Sequence, residues 1–245
     1  EFRRVLFRSS ISSEHDYEPG SSQYTWLEND LEDADGNREN VPWVIIFAHR
    51  PMYSSNGEGD GHGSEIEFRD AMESLLFDYN IDLAIWGHDH HYERTYPVFE
   101  EQVYANNTGS YDDPYYLPSA PIHIVAGMAG RSIYDGFEEP QPDWSAYREL
   151  SYGYTQFEVT KSGTLHYEFI RNSDGIVSDE FWIVQSLDYE LSGTIDYPET
   201  GTNQTSETEE KDIIDKIKEL NYANAPISIL IVTVVAIFKS RLREV

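Results

Sequence analysis

Two apolar runs, each ending in histidine, constrain what this 245-residue chain can fold into. The first is Trp43-Val44-Ile45-Ile46-Phe47-Ala48, followed by His49-Arg50-Pro51. The second is Asp82-Leu83-Ala84-Ile85-Trp86, followed by Gly87-His88-Asp89-His90-His91. Neither run alternates with polar residues, as expected of parallel strands covered on both faces. Between them Phe68, Met72, Leu75, Leu76 and Tyr79 recur at helical spacing. Strand, helix, strand is a β-α-β unit, with parallel strands and a right-handed crossover. Ligands of such sheets gather at the carboxyl ends of the strands, and both histidine motifs sit there. Neutral imidazole is the commonest protein metal ligand. His88 and His90 taken alone would also suit an exposed polar turn. His49, at a second strand end, tips the reading toward a metal site.

The segments Ala48-His49-Arg50-Pro51-Met52-Tyr53-Ser54-Ser55-Asn56 and Gly87-His88-Asp89-His90-His91-Tyr92-Glu93-Arg94-Thr95-Tyr96-Pro97 resemble the last two metal-binding motifs of the purple acid phosphatases, a branch of the metallophosphoesterases. Gln23, Tyr24, Trp26 and Leu27, with Ser13-Glu14-His15-Asp16 before them, resemble that family too. The likeness runs from about residue 10 to about residue 185. It implies an α/β (α+β) fold, the C-terminal half of a four-layer α-β-β-α sandwich; the apolar run near the C-terminus, beyond the likeness, reads as a single further helix. It also implies hydrolysis of phosphomonoester substrates at a binuclear centre, Fe(III) with a divalent ion (Zn, Fe or Mn). Carried over by motif, His49 and His88 would bind the divalent ion and His90 the ferric ion. His62, in the glycine-rich loop after the first motif, would contact phosphate or donate a proton; the alternative is an exposed loop histidine. His91 reads as structural, and Glu93 and Arg94 as fixing the turn.

The family's earlier motifs supply an Asp, an Asp with Tyr, and an Asn-His. No Gly-Asp-x-x-Tyr or Gly-Asn-His-Glu segment occurs in this sequence. Asp16 fits the later Ser-x-Glu-His-Asp segment, and Asp82 begins its strand at the end away from the site. The expectation is therefore a C-terminal portion of an acid phosphatase, inactive by itself, whose bridging Asp, iron-bound Tyr and Asn lie upstream of residue 1. Residues 1–9 are basic in an acidic protein and read as a non-native scar, the alternative being a genuine basic strand.

Composition narrows the field further. With 45 acidic against 17 basic residues and a formal charge of −28, the chain lacks the basic footprint that nucleic-acid binding needs. A phosphate substrate remains compatible, because bound metal ions would dominate the local field. The absence of cysteine removes disulfides and zinc-thiolate sites. Residues 10–118 read as the C-terminal half of the catalytic domain and 119–185 as the purple acid phosphatase C-terminal region. Ser21 and Ser22 can cap a helix over residues 23–33. Residues 100–118 are polar and turn-rich and read as a surface loop. Residues 121–127 read as another buried strand with a structural His123. A hairpin over residues 154–170 and a last strand over 181–184 follow. Two function classes stay open beside the acid phosphatase. One is a phosphodiesterase or nucleotide-phosphate hydrolase of the same superfamily. The other is a membrane-tethered, non-catalytic binding domain. Oligomeric state is not legible.

After Gln185 the character changes. Residues 186–224 form an acidic, polar stalk. Residues 225–239 are expected as a membrane anchor, and 240–245 as a short basic cytosolic tail. The apolar run is shorter than the ~20 residues usual for a span, but Lys239, Arg241 and Arg243 can snorkel and extend it. Their charge fits a lumenal or extracellular N-terminal domain of a single-pass protein in the secretory pathway or at the cell surface. Sequons at Asn106 and Asn203 suit the same orientation. Carbonate extraction of the full-length protein from cells is expected to leave it in the membrane fraction, glycosylated. Release into the soluble fraction with both asparagines unmodified would remove the anchor and the orientation together.

Overall fold

A computed structural model describes residues 6–57, 62–105, 107–134 and 136–185. The elements follow as β1 Leu6–Ser10, α1 Ser22–Asp35, β2 Trp43–Ala48, α2 Ile66–Asp78, β3 Leu83–Trp86, β4 Tyr92–Thr95, β5 Val98–Phe99, β6 Gln102–Val103, β7 Tyr115–Tyr116, β8 Ile122–Ala126, β9 Ser145–Glu149, β10 Gly153–Val159, β11 Thr164–Arg171 and β12 Val177–Val184. Six strands make one sheet, in the order β1-β2-β3-β8-β4-β9. Its first four strands run parallel, β4 runs antiparallel to β8, and β9, antiparallel to β4, returns to the direction of the first four. A second sheet has the order β10-β11-β12-β7.

The continuous apolar runs are explained by what covers them. One face of the first sheet carries Val44, Ile46, Ala84, Trp86 and Val125, packed against Leu27 and Leu31 of α1 and Phe68, Met72 and Leu76 of α2. The other face carries Trp43, Ile45, Leu83, Ile85 and Ile124, packed against Leu165, Tyr167, Phe169, Phe181 and Ile183 of the second sheet. Alternate residues of one strand thus enter two different cores, which leaves no position for a polar side chain. Helix α1 starts where Ser21 accepts the Tyr24 backbone N–H at 3.1 Å, an N-cap bond. The fold is the mixed α/β sandwich expected of a metallophosphoesterase. Among the described residues it has three layers: helices, sheet, sheet.

The described part of the N-terminal stretch forms a strand. From Leu6 onward it is β1, parallel to β2 with Leu6 opposite Trp43 and Ser10 opposite Phe47. Leu6 is buried in the inter-sheet core, so this segment is a working edge strand. Residues 100–118 likewise hold more than a loop: β6 pairs with β5, and β7 joins the second sheet beside β12. The stalk, the membrane anchor, the basic tail and both sequon asparagines, Asn106 and Asn203, lie outside the described residues. No helix among the described residues is long and apolar enough to cross a membrane.

One polar bolt joins the two sheets through their apolar interface. Arg94 of β4 donates Nε and Nη2 to Asp179 of β12, at 2.7 and 2.8 Å. Tyr92 donates its hydroxyl to the same carboxylate at 2.8 Å, and Arg94 Nη1 reaches the Tyr115 hydroxyl at 3.1 Å. The guanidinium also lies 5.0 Å from the centroid of the Phe181 ring. A buried pair with every partner satisfied tolerates neither half alone, because the survivor is an uncompensated buried charge. Arg94→Met is therefore expected to cost about 3–5 kcal/mol in urea denaturation, with Arg94→Met/Asp179→Leu less destabilised than the single variant. A single variant within about 1 kcal/mol of wild type would show that the pair does not hold the sheets.

Candidate metal centre

The site is built where β2 and β3 end. Ala48 pairs with Trp86 in the parallel register, and the Gly87 N–H then donates to the His49 carbonyl at 2.9 Å. The next residue, His88, adopts φ 62°, uncommon for a residue with a side chain and of a kind that collects at functional sites. From there side chains alternate. His88 and His90 are half-buried, while Asp89, His91 and Glu93 are buried. The turn lies flat against the end of β8 because residue 127 is glycine: a Cβ there would sit 1.9 Å from the Asp89 carbonyl oxygen. The Gly127 N–H donates to the His91 carbonyl at 3.2 Å.

His49 and His88 come together. His49 Nε2 lies 3.0 Å from His88 Nδ1, with the rings edge to face at 4.8 Å. His49 Nδ1 is buried without a hydrogen-bond partner. Burial, and then the facing His88, hold the His49 imidazole below its ordinary pKa. His62 joins the same cluster, its ring 4.8 Å from that of His88. His90 is turned toward other partners. Its Nδ1–H donates to the Ser132 carbonyl at 3.0 Å, and its ring stacks on Tyr134 at 4.6 Å. Burial lowers the His90 pKa against the opposing effect of the Ser132 bond. Tyr134 also stands edge-on to His62 at 4.9 Å, so its phenol connects His90 with His62.

Beneath these imidazoles lie two buried carboxylates. Glu93 accepts the Ser55 N–H (2.7 Å), the Ser55 hydroxyl (2.6 Å), the Ser145 hydroxyl (2.6 Å) and His91 Nε2–H (3.3 Å). Burial pushes its pKa up, but the bonds from His91, Ser145 and Ser55 outweigh it and hold the carboxyl below the ordinary value. Asp89 accepts the Ser54 hydroxyl and the Gly63 N–H, and lies 3.3 Å from His62 Nδ1. Arg50 reaches back from the first motif: its backbone N–H donates to the Ser13 hydroxyl at 3.0 Å and its Nε to Glu14 at 2.6 Å. That contact accounts for the Ser13-Glu14 segment. His123 is structural, accepting Trp86 Nε1–H at 3.1 Å, with burial pushing its pKa down to about 3.

Sequence reasoning missed Asp89, Ser132 and Tyr134. Period-two alternation through residues 88–91 could have separated the outward His88 and His90 from the inward Asp89 and His91. Nothing local marks Ser132 or Tyr134, which enter from a loop far along the chain.

Two family descriptions match: calcineurin-like phosphoesterase over residues 7–92, and iron/zinc purple acid phosphatase-like protein C over residues 120–180. This chain carries the calcineurin-like phosphoesterase domain and the purple acid phosphatase C-terminal domain. It is 37% identical over 178 residues to acid phosphatase type 7 of Danio rerio, covering 66% of this chain and 40% of that protein. It is 36% identical over 188 residues to the Arabidopsis thaliana protein named probable inactive purple acid phosphatase 1, covering 75% of this chain and 29% of that one. The structure of purple acid phosphatase PPD1 from yellow lupin seeds superimposes with a TM-score of 0.68 at 27% identity, covering 81% of this chain and 35% of that one. The chain thus spans 29–40% of the length of these relatives.

Proposed function

We propose that this chain belongs to a metal-dependent acid phosphatase hydrolysing phosphomonoesters at a binuclear centre, with His49 and His88 on a divalent ion and His90 on the ferric ion. The observation that carries the reading is the meeting of His49 Nε2 and His88 Nδ1 at 3.0 Å on two adjoining strand ends. Nitrogens bound to one ion at about 2.0–2.1 Å in tetrahedral geometry stand about 3.3 Å apart, so the pair fits a shared cation with little movement. The partnerless, buried His49 Nδ1 and the lowered His49 pKa favour the neutral imidazole, the form a ligand must take. The Ser132 carbonyl fixes His90 as its Nδ1–H tautomer, which leaves Nε2 with a lone pair; this is how second-shell bonds orient ligands.

When bound, such an ion pair neutralises charge on the transferring phosphoryl group and activates the nucleophile. The residues of this chain supply the rest. His62, beside His88, is placed to give a proton to the leaving oxygen. Asp89 and Glu93 hold the serines at the start of its loop. The remaining ligands, including the bridging carboxylate, belong to motifs that this sequence does not contain. The sequons at Asn106 and Asn203 favour a lumenal or extracellular setting.

The full-length protein is expected to hydrolyse a chromogenic phosphomonoester in a metal-dependent manner, and His88→Ala to lower kcat/KM by about 10²-fold or more. The 245-residue chain, metal-supplemented, is expected to show no turnover above its own His88→Ala control. His88-dependent turnover by that chain would contradict the missing-carboxylate argument. The name of the Arabidopsis relative favours a second reading, a non-catalytic domain. Metal binding without turnover of phosphomonoester or phosphodiester by the full-length protein would establish that reading instead.

A further inference from the structure

Asp89 stands between two rim histidines, yet its carboxylate serves the loop that carries His62. It is wholly buried, at 0% exposure. Its Oδ2 accepts the hydroxyl of Ser54 and the backbone N–H of Gly63, the latter at 3.0 Å. Its Oδ1 lies 3.3 Å from His62 Nδ1. One carboxylate therefore touches both ends of the loop and the imidazole on it. The loop neck is closed a second time by Ser64, whose hydroxyl accepts the Ser54 N–H at 3.0 Å and donates to the Ser54 carbonyl at 3.1 Å. Gly63 sits at φ 101°, where a side chain would be strained.

We propose that Asp89 is the positioning residue for His62: it closes the loop neck and holds the hydrogen of the neutral ring on Nδ1, so that Nε2 is the nitrogen that takes up a proton from water and passes it to the leaving oxygen. An ionised carboxylate accepts and does not donate, so the imidazole nitrogen facing it carries the hydrogen. The Tyr134 hydroxyl, 2.9 Å from Nδ1 and 3.3 Å from Nε2, is the neutral competitor, and charge-assisted bonds are about twice as strong as neutral ones. The same geometry has a rival meaning, because donor atoms of His62, His88 and Asp89 all lie within 4.8 Å of one another and Asp89 would then be a metal ligand. Its oxygens are already engaged by Ser54, Gly63 and His62, which favours the positioning role.

The inference rests on the reading of His62 as proton donor, and two measurements keep the failures apart. The first uses the metal-free 245-residue chain with 15N-labelled imidazoles, where His62 is expected as the Nδ1–H tautomer in wild type and as a mixture in Asp89→Asn. An Nε2–H tautomer in wild type, or an unchanged tautomer in the variant, overturns the proposal whatever His62 does in catalysis. The second uses the full-length enzyme with alkyl and dinitrophenyl phosphates, whose leaving groups do and do not need a proton. His62→Asn and Asp89→Asn should each lose about tenfold or more on the alkyl ester relative to the aryl ester, and the double variant no more than either alone. If His62→Asn shows the leaving-group dependence and Asp89→Asn does not, the proposal fails; if His62→Asn lacks it, the proton-donor reading fails. Bound metal should be unchanged in Asp89→Asn, and its loss would mean that Asp89 acts as a ligand. Should Asp89→Asn not fold, Ser54→Ala removes one bond to the same carboxylate and is expected to shift the tautomer and the leaving-group ratio in the same direction.

Discussion

The level ending of β2 and β3 is the constraint on which the candidate centre depends. Ala48 and Trp86 are register partners, and one further hydrogen bond, from the Gly87 N–H to the His49 carbonyl, ties the chains together as they leave the sheet. The imidazoles of His49 and His88 then have nowhere to go but toward each other. A slip of one residue would send every side chain of the strand to the opposite face, exchanging the helix-facing core for the inter-sheet core. Two hydrophobic cores therefore enforce the register that brings two nitrogens within 3.0 Å. The precision of the site comes from packing remote from it.

A second layer of constraint is polar and buried. Through residues 88–93 the chain sends His88 and His90 to the rim and Asp89, His91 and Glu93 inward. Asp89 and Glu93 take hold of Ser54 and Ser55, consecutive residues at the start of the loop that carries His62. Arg94, the next residue, bolts β4 to β12 through Asp179. The motif thus does three jobs within seven residues: it presents rim histidines, anchors a loop and clamps the second sheet. Such buried networks rigidify as their members are satisfied, and Gly127 allows the backbone to come close to the Asp89 turn.

Much of this was legible in the sequence. The run Trp43–Ala48 is the strand β2 as read, and the face Phe68, Met72, Leu75 and Leu76 is buried on α2. Long, strongly patterned segments announce themselves because both faces report the same burial. The short strands did not. Tyr92–Thr95 is all buried yet written Tyr-Glu-Arg-Thr, because its charged groups are met by distant partners: hydrogen bonds from Ser55 and Ser145 for Glu93, the Asp179 carboxylate for Arg94. β1 was masked by its two arginine neighbours and its position at the chain start, although Leu6 enters the inter-sheet core. The histidines carry a pattern that the family resemblance could name. Their supports, Ser132 and Tyr134, carry none, since only the tertiary fold brings residues 132–134 over His62 and His90.

Anomalous diffraction from crystals of the full-length protein bears most directly on the central claim, that these strand-end histidines hold a binuclear metal centre. The account predicts one peak at about 2.0–2.1 Å from a ring nitrogen of both His49 and His88, and a second beside His90 about 3.5–4 Å from the first. A metal-loaded crystal with no peak at His49 and His88, their nitrogens bonded to each other as in the free chain, would contradict it.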